Sequence, residues 1–353
     1  SQYCWHSANS GEIGVLPFSS ADHDPMKMKT RLLTGILVLT ACQPRTADPD
    51  FDMSTLPGSD FEGSAFEFEL VMEGIYQARG TGNVAVGSNA AVIINEEDVL
   101  LVDSHISPVA AAALIEELGS ITDKPVRYVV NTHFHFDHAH GNQIYPDDIE
   151  VIGHEFTREM LTNEGSIGRT YTYFRERMAG QAGFLDGQEG LSPTPPNTTL
   201  SERMTLFRGD REIRLLFFGR GHTGGDIVVH LPQERVLITG DLLLPGIPYM
   251  GDGFPSDWVG TLEELKTLDF DIVVPGHGAP FSDLAKIDHL QAYLTDLWNR
   301  TSDAYSGGLT AEQAAEQVDL TDHSSDYPSL RGPGAPLPAI QRIYELLANQ
   351  GSN

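Results

Sequence analysis

The run Thr132-His133-Phe134-His135-Phe136-Asp137-His138 constrains this chain more than any other stretch. It places three imidazoles and a carboxylate directly after the apolar segment Val126 to Val130. His133 and His135 alternate, so on an extended backbone they point to the same side. Asp137 and His138 follow at the turn out of the strand, within reach of a second position a few ångströms away. The spacing predicts two neighbouring metal ions, each needing further N and O ligands from elsewhere in the chain.

Three later positions can complete the set. His222 sits in Gly219-Arg220-Gly221-His222-Thr223-Gly224-Gly225-Asp226, after the apolar stretch Ile213 to Phe218. Asp241 closes Val236-Leu237-Ile238-Thr239-Gly240-Asp241, and His277 closes Ile272-Val273-Val274-Pro275-Gly276-His277. Every candidate ligand therefore lies where an apolar strand runs into a loop, the place where open α/β architectures put their chemistry.

The His-x-His-x-Asp-His run, the Gly-His-Thr turn, the Thr-Gly-Asp strand end and Pro-Gly-His-Gly, in this order, resemble the metallo-β-lactamase superfamily over about residues 66 to 300. The resemblance implies an α/β (α+β) four-layer αββα sandwich with the metal site between its two sheets. It also implies that His133, His135 and His222 hold one ion, that Asp137, His138 and His277 hold a second, and that Asp241 bridges them. Asp137 would also act as the catalytic residue that orients the attacking hydroxide. Two divalent ions this close share a water and bring its pKa near 7. Where thiolate-containing β-lactamases of the family carry Cys, this chain has Asp241. Its second site is all N and O, which suits zinc, giving two zinc ions in the whole centre, and also iron or manganese.

An internal pattern agrees. Val99-Leu100-Leu101-Val102-Asp103 is similar to the segment ending at Asp241, and Val126 to His133 is similar to Phe270 to His277. A helical segment separates each pair, Pro108 to Leu118 in one and Trp258 to Leu268 in the other. The chain thus reads as two related halves meeting at a shared site.

The formal charge of −28 over 353 residues argues against nucleic acid as a partner, because phosphate neutralisation needs basic patches. A small molecule is the expected substrate, and the oligomeric state is left open. Met26 to Arg31 is a positively charged start, Leu32 to Leu39 a short apolar run, and Leu39-Thr40-Ala41-Cys42 resembles a bacterial lipobox. Residues 26–42 therefore read as a lipoprotein-type signal peptide, with periplasmic location and a lipid anchor at Cys42 on the outer membrane. Residues 1–25 are assigned no role. Residues 43–65 are expected to be a linker, 66–300 the hydrolase domain and 301–353 a C-terminal helical extension packed on it. The only cysteines are Cys4 and Cys42, so with Cys42 acylated the mature domain has no thiol nucleophile or thiolate ligand.

The leading functional expectation is a metallohydrolase opening a β-lactam or a related lactam, lactone or ester. No Lys or Arg closely follows Asp241 to bind a lactam carboxylate, and Arg220 is the alternative. A thioester hydrolase of glyoxalase II type and a non-heme iron redox enzyme of persulfide dioxygenase type are the competing readings. Asp103, Thr223 and Asp226 are candidate partners of ligands or turn-capping groups. His105, His154 and His230 are expected to pack or hydrogen-bond, and His140 to be a plain loop residue rather than a donor behind the ligands. Residues 245–258 are a candidate pocket wall, and Tyr171, Tyr173 and Phe174 a candidate lid.

Overall fold

The computed structural model describes residues 52–163 and 165–350, apart from the side chains of Ser166 and Arg169. The expected signal segment, residues 26–42, and Cys4 and Cys42 lie outside the described residues. Twelve strands form two sheets among these residues. The first runs in the order β1 (Phe66–Met72), β2 (Ile75–Gly80), β3 (Ala90–Ile94), β4 (Val99–Val102), β5 (Val126–Val130), β6 (Glu150–His154) and β7 (Thr198–Leu200). The second comprises β8 (Arg203–Arg208), β9 (Arg211–Phe217), β10 (Ile227–Leu231), β11 (Val236–Gly240) and β12 (Ile272–Pro275), in the spatial order β12-β11-β10-β9-β8. The helices are α1 (Pro108–Glu117), α2 (Phe136–Ala139), α3 (Glu155–Thr162), α4 (Arg169–Met178), α5 (Phe184–Gly187), α6 (Pro255–Leu265), α7 (Ala285–Ser306), α8 (Ala311–Gln317) and α9 (Leu337–Gln350).

The four-layer αββα architecture follows from strands that are apolar on both faces. In β4, Leu100 and Val102 join the core between the sheets, while Val99 and Leu101 join the core under α1. In the second sheet Val236 and Ile238 face inward, while Leu237 and Val273 pack outward with α6 and α7. A period-two pattern with both sets buried is what a sheet covered by helices requires.

The two halves read from the sequence are two βαβ units. Strand β4 pairs parallel to β5 across α1, and β11 pairs parallel to β12 across α6. Helix α1 starts on Ser107, whose hydroxyl accepts from the Ala110 amide, with Pro108 in the first turn, and its alanine run lies flat on the sheet.

Two expected boundaries shift. Within residues 43–65, Met53, Leu56 and Phe61 pack against the first outer core, so the described part of that linker is docked rather than a free tether. Helix α7 runs through to Ser306, so no boundary falls at residue 300. After it, Ala314, Leu320, Ile340 and Ile343 are buried in the same core as Trp258 and Leu262 of α6. Before this helix begins at Ala285, Phe281 forms a bridge to Val273.

Candidate metal centre

The chain leaves β5 at Val130, and Thr132, His133 and His135 follow before the short helix α2 carries Asp137 and His138. His222 lies in the turn between β9 and β10. Asp241 follows β11, and His277 follows β12. All seven side chains converge at one end of the sandwich. His133, His135 and His222 form one group, Asp137, His138 and His277 a second, and His133, His138 and Asp241 a third that joins them; within each, the donor atoms lie within 4.8 Å of one another.

Nδ1 of His135 lies 2.9 Å from Nε2 of His222. The Asp241 carboxylate sits 3.4 Å from His138 Nε2, 3.4 Å from His277 Nε2 and 3.7 Å from His222 Nε2. Asp137 stands 3.2 Å from His277 Nε2 and 3.7 Å from His138 Nε2. Asp241 is thus the carboxylate that faces both groups. His133 Nε2, His138 Nε2 and Asp241 Oδ1 are buried without a hydrogen-bond partner among the described residues. Leaving such atoms bare costs about 1–3 kcal/mol each, and a divalent cation with N and O ligands satisfies them together. The donor set therefore fits one or two metal ions.

Asp103 orders two of the imidazoles. It is buried at the end of β4 with φ of 69°. Its Oδ2 accepts from His138 Nδ1–H at 2.7 Å, and Thr132 donates to the same carboxylate through its amide at 2.7 Å and its hydroxyl at 2.9 Å. With its proton committed there, the Thr132 hydroxyl accepts from His133 Nδ1–H at 3.0 Å, which leaves His133 Nε2 bare and facing the cluster. Asp226 instead accepts from the Thr223 amide at 2.7 Å and hydroxyl at 2.8 Å, so this pair braces the turn that carries His222.

Electrostatics separates the two halves. Burial, together with the neighbouring imidazoles, pushes His133 well below its usual value and His222 down to about 3. His138 is pulled down by burial, but the carboxylates of Asp137, Asp241 and Asp103 outweigh this and raise it to about 9. His277, against the same burial, is held well above its usual value by Asp241 and Asp137.

His105, His154 and His230 hydrogen-bond as expected, whereas His140 is buried in a helical turn rather than in a plain loop. His105 Nδ1 bonds to the Ser88 carbonyl, His154 Nε2 to the Ser201 carbonyl and His230 Nε2 to the Asp269 carbonyl. His140 is buried beside Phe136 and Tyr171. Arg220 pairs with Asp257 and stacks on Phe254, so it does not serve the cavity over the site.

That cavity, about 730 Å³, opens directly over His135, Asp137, His222, Asp241 and His277. Its walls come from the 245–258 segment, through Ile247 and Tyr249, and from α4, through Tyr173 and Phe174. Phe174 and Tyr249 meet edge to face at 4.9 Å. Three features escaped sequence reasoning. Asp252 accepts from His135 Nε2–H at 3.1 Å, Arg177 stands at the cavity wall, and Leu330 and Ala339 of the C-terminal segment close one side. Only the carboxylate of Asp252, set between Gly251 and Gly253 in an aromatic loop, could have drawn attention to the first.

The family model for the metallo-beta-lactamase superfamily matches residues 84–277, more than half of the chain. The chain belongs to the metallo-β-lactamase superfamily. Its relatives in this family include a linear primary-alkylsulfatase of Pseudomonas sp., 25% identical over 283 residues, covering 70% of this chain and 53% of that protein. A type 2 metallo-beta-lactamase of Bacillus sp. is 26% identical over 200 residues, covering 55% of this chain and 68% of that one. Among solved structures, an inverting sec-alkylsulfatase of Pseudomonas sp. superposes with a TM-score of 0.64 at 20% identity, covering 80% of this chain and 50% of that one. The chain spans about half the length of both alkylsulfatases. As a superfamily member it is a metallo-β-lactamase-fold enzyme, and the solved structure supports the fold alone.

Proposed function

We propose that the protein is a metal-dependent hydrolase that attacks a carbonyl carbon and breaks its acyl C–O or C–N bond, in an ester or lactone before a lactam, in a small molecule with an apolar body. The observation that carries this reading is the cavity itself: five of the seven candidate N and O donors at its floor, with His133 and His138 buried beneath, and aromatic and aliphatic side chains on its walls. His133, His135 and His222 would hold one ion, Asp137, His138 and His277 a second, and Asp241 both. Two bound divalent ions supply a Lewis acid for the substrate's oxygen and lower the pKa of a water toward 7.

The protein's own groups do the rest. Asp103 and Thr132 fix the rings of His138 and His133 so that each presents its Nε2 to the site. The Asp137 carboxylate, held far below its usual range, is a permanent acceptor at the cavity floor. Burial opposes that ionisation, and His138 and His277 overcome it. Tyr173, Phe174 and Tyr249 exclude water and hold an apolar group. Arg177 is the only Lys or Arg among the lining residues, and it is exposed and stacked on Tyr173 at 3.8 Å. Apart from the metal ions themselves, a β-lactam carboxylate thus meets little positive charge from side chains, which ranks esters and lactones above lactams.

Sulfate esters are a second reading, favoured by the likeness to two alkylsulfatases across 70% and 80% of this chain. Zinc suits the all-N/O set, as do iron and manganese. The sequence Met26 to Cys42 supports an enzyme lipid-anchored in the periplasm, which labelled palmitate uptake lost in Cys42→Ser would test. The deciding experiment on function presents zinc-loaded protein with an aryl ester, a lactone, a chromogenic cephalosporin and an alkyl sulfate, with and without chelator. Chelator-sensitive turnover of the ester or lactone above the others supports the reading. Turnover of the alkyl sulfate alone replaces it with the second, and no turnover of any refutes both.

A further inference from the structure

We propose that Asp252 is a positioning residue of this centre, fixing the ring of His135 and tying it to the helix that walls the cavity; the proposal rests on the two-ion reading above. Oδ2 of Asp252 lies 3.1 Å from Nε2 of His135. An imidazole that donates through Nε2 keeps its lone pair on Nδ1. Nδ1 is the atom of His135 that lies 2.9 Å from His222 Nε2 in the three-histidine group. Asp252 therefore selects the tautomer that leaves the inward nitrogen able to ligate. It does so from the far end of the loop between β11 and α6, the loop that begins with Asp241. Its side chain is only 22% exposed, and that of His135 is 4% exposed.

The same oxygen also accepts the hydroxyl of Thr170, in the first turn of α4. Thr170 Oγ1 reaches the Tyr249 hydroxyl at 3.5 Å, and the Tyr249 ring stands edge-on to His135 at 6.3 Å. One carboxylate oxygen thus serves both a candidate metal ligand and the helix whose Tyr173 and Phe174 line the cavity. A substrate that displaces α4 acts on His135 through this oxygen. Asp103 does the corresponding work for His133 and His138, so each of these three rings has a buried or half-buried carboxylate behind it, directly or through one hydroxyl.

The test uses the full chain with cobalt(II) alone as the probe. Affinity is read by competition with a chromophoric chelator and the site by its visible absorption band, beside kcat and KM for an apolar aryl ester. Asp252→Ala should weaken one of the two cobalt sites by about 10–100-fold and shift its band, with the other site unchanged. Asp252→Asn keeps an acceptor without the charge and should fall between that variant and wild type. Thr170→Val should keep cobalt affinity and raise KM more than it lowers kcat. Wild-type affinity and band in Asp252→Ala overturn the positioning role. Should that variant not fold, an Asp252→Asn protein indistinguishable from wild type does the same. A Thr170→Val protein with unchanged KM overturns the tie to α4. Wild-type protein that takes up cobalt but hydrolyses nothing refutes the hydrolase reading while the affinity comparison still decides the role of Asp252. Wild-type protein that takes up no cobalt overturns both.

Discussion

At Asp103 a single carboxylate sets the tautomers of two imidazoles, one directly and one through the Thr132 hydroxyl. Removing it leaves His138 without a partner for Nδ1 and the Thr132 hydroxyl free to turn. We expect Asp103→Ala to weaken metal binding by about 10–100-fold, read by chelator competition; equal affinity in the variant would show that the rings are held by packing alone. Gly276 is a second residue where one atom matters. A Cβ there would run into the Asp241 carboxylate and would stand 2.8 Å from His138 Cε1. Gly276→Ala should therefore cost about 1–3 kcal/mol in urea unfolding and lower the bound metal per chain. A variant with wild-type stability and stoichiometry would mean that the loop yields without disturbing Asp241.

At the scale of elements, the site is the meeting of two βαβ units with a turn from the antiparallel part of the second sheet. Each unit ends its first strand in a carboxylate, Asp103 after β4 and Asp241 after β11, and its second in a histidine, His133 after β5 and His277 after β12. Their roles have diverged: Asp241 faces the donors of both groups, whereas Asp103 stands behind two of them. Helix α4 and the 245–258 segment contribute walls rather than donors. Edge-to-face aromatic pairs are worth about 0.5–1.5 kcal/mol, and tenfold in an equilibrium is about 1.4 kcal/mol. Phe174→Ala should therefore raise KM for a bulky aryl ester by up to about tenfold and leave a methyl ester little changed. An equal effect on both esters in steady-state kinetics would place Phe174 outside the substrate's path.

For the whole molecule, charge and the C-terminal helices matter most. His138, raised to about 9, and His277, raised further above its usual value, carry protons at neutral pH that a ligated metal must displace. His222, lowered to about 3, and His133, lowered well below its usual value, carry none. The sign follows: affinity at the Asp137–His138–His277 group should rise with pH through neutrality, with proton release, while the three-histidine group should show little dependence from those two rings. Titration calorimetry in buffers of different ionisation enthalpy measures the released protons, and zero release for the second ion would contradict the assignment. Residues 337–350 belong to the fold, because Ile340 and Ile343 are fully buried beside α6 and α7. Ile340→Ala should cost about 2–5 kcal/mol, seen as a lower urea midpoint.

The sequence by itself determined the candidate donors and most of the elements. Histidines and carboxylates at strand ends keep their local spacing whatever surrounds them, and strands apolar at every position must be covered on both faces. That is why His133, His135, Asp137, His138, His222, Asp241 and His277 could be named as candidate donors, whereas the αββα layering was implied by the resemblance to the superfamily. Only the tertiary structure decided which carboxylate meets which ring. Asp252 is 117 residues from His135, and no local periodicity records such a contact. The docking of residues 52–65, the run of α7 through Ser306, and the wall formed by Leu330 and Ala339 were likewise hidden. Each depends on apolar groups finding partners far away in the chain, and burial of that kind is a property of the assembled core rather than of any segment within it.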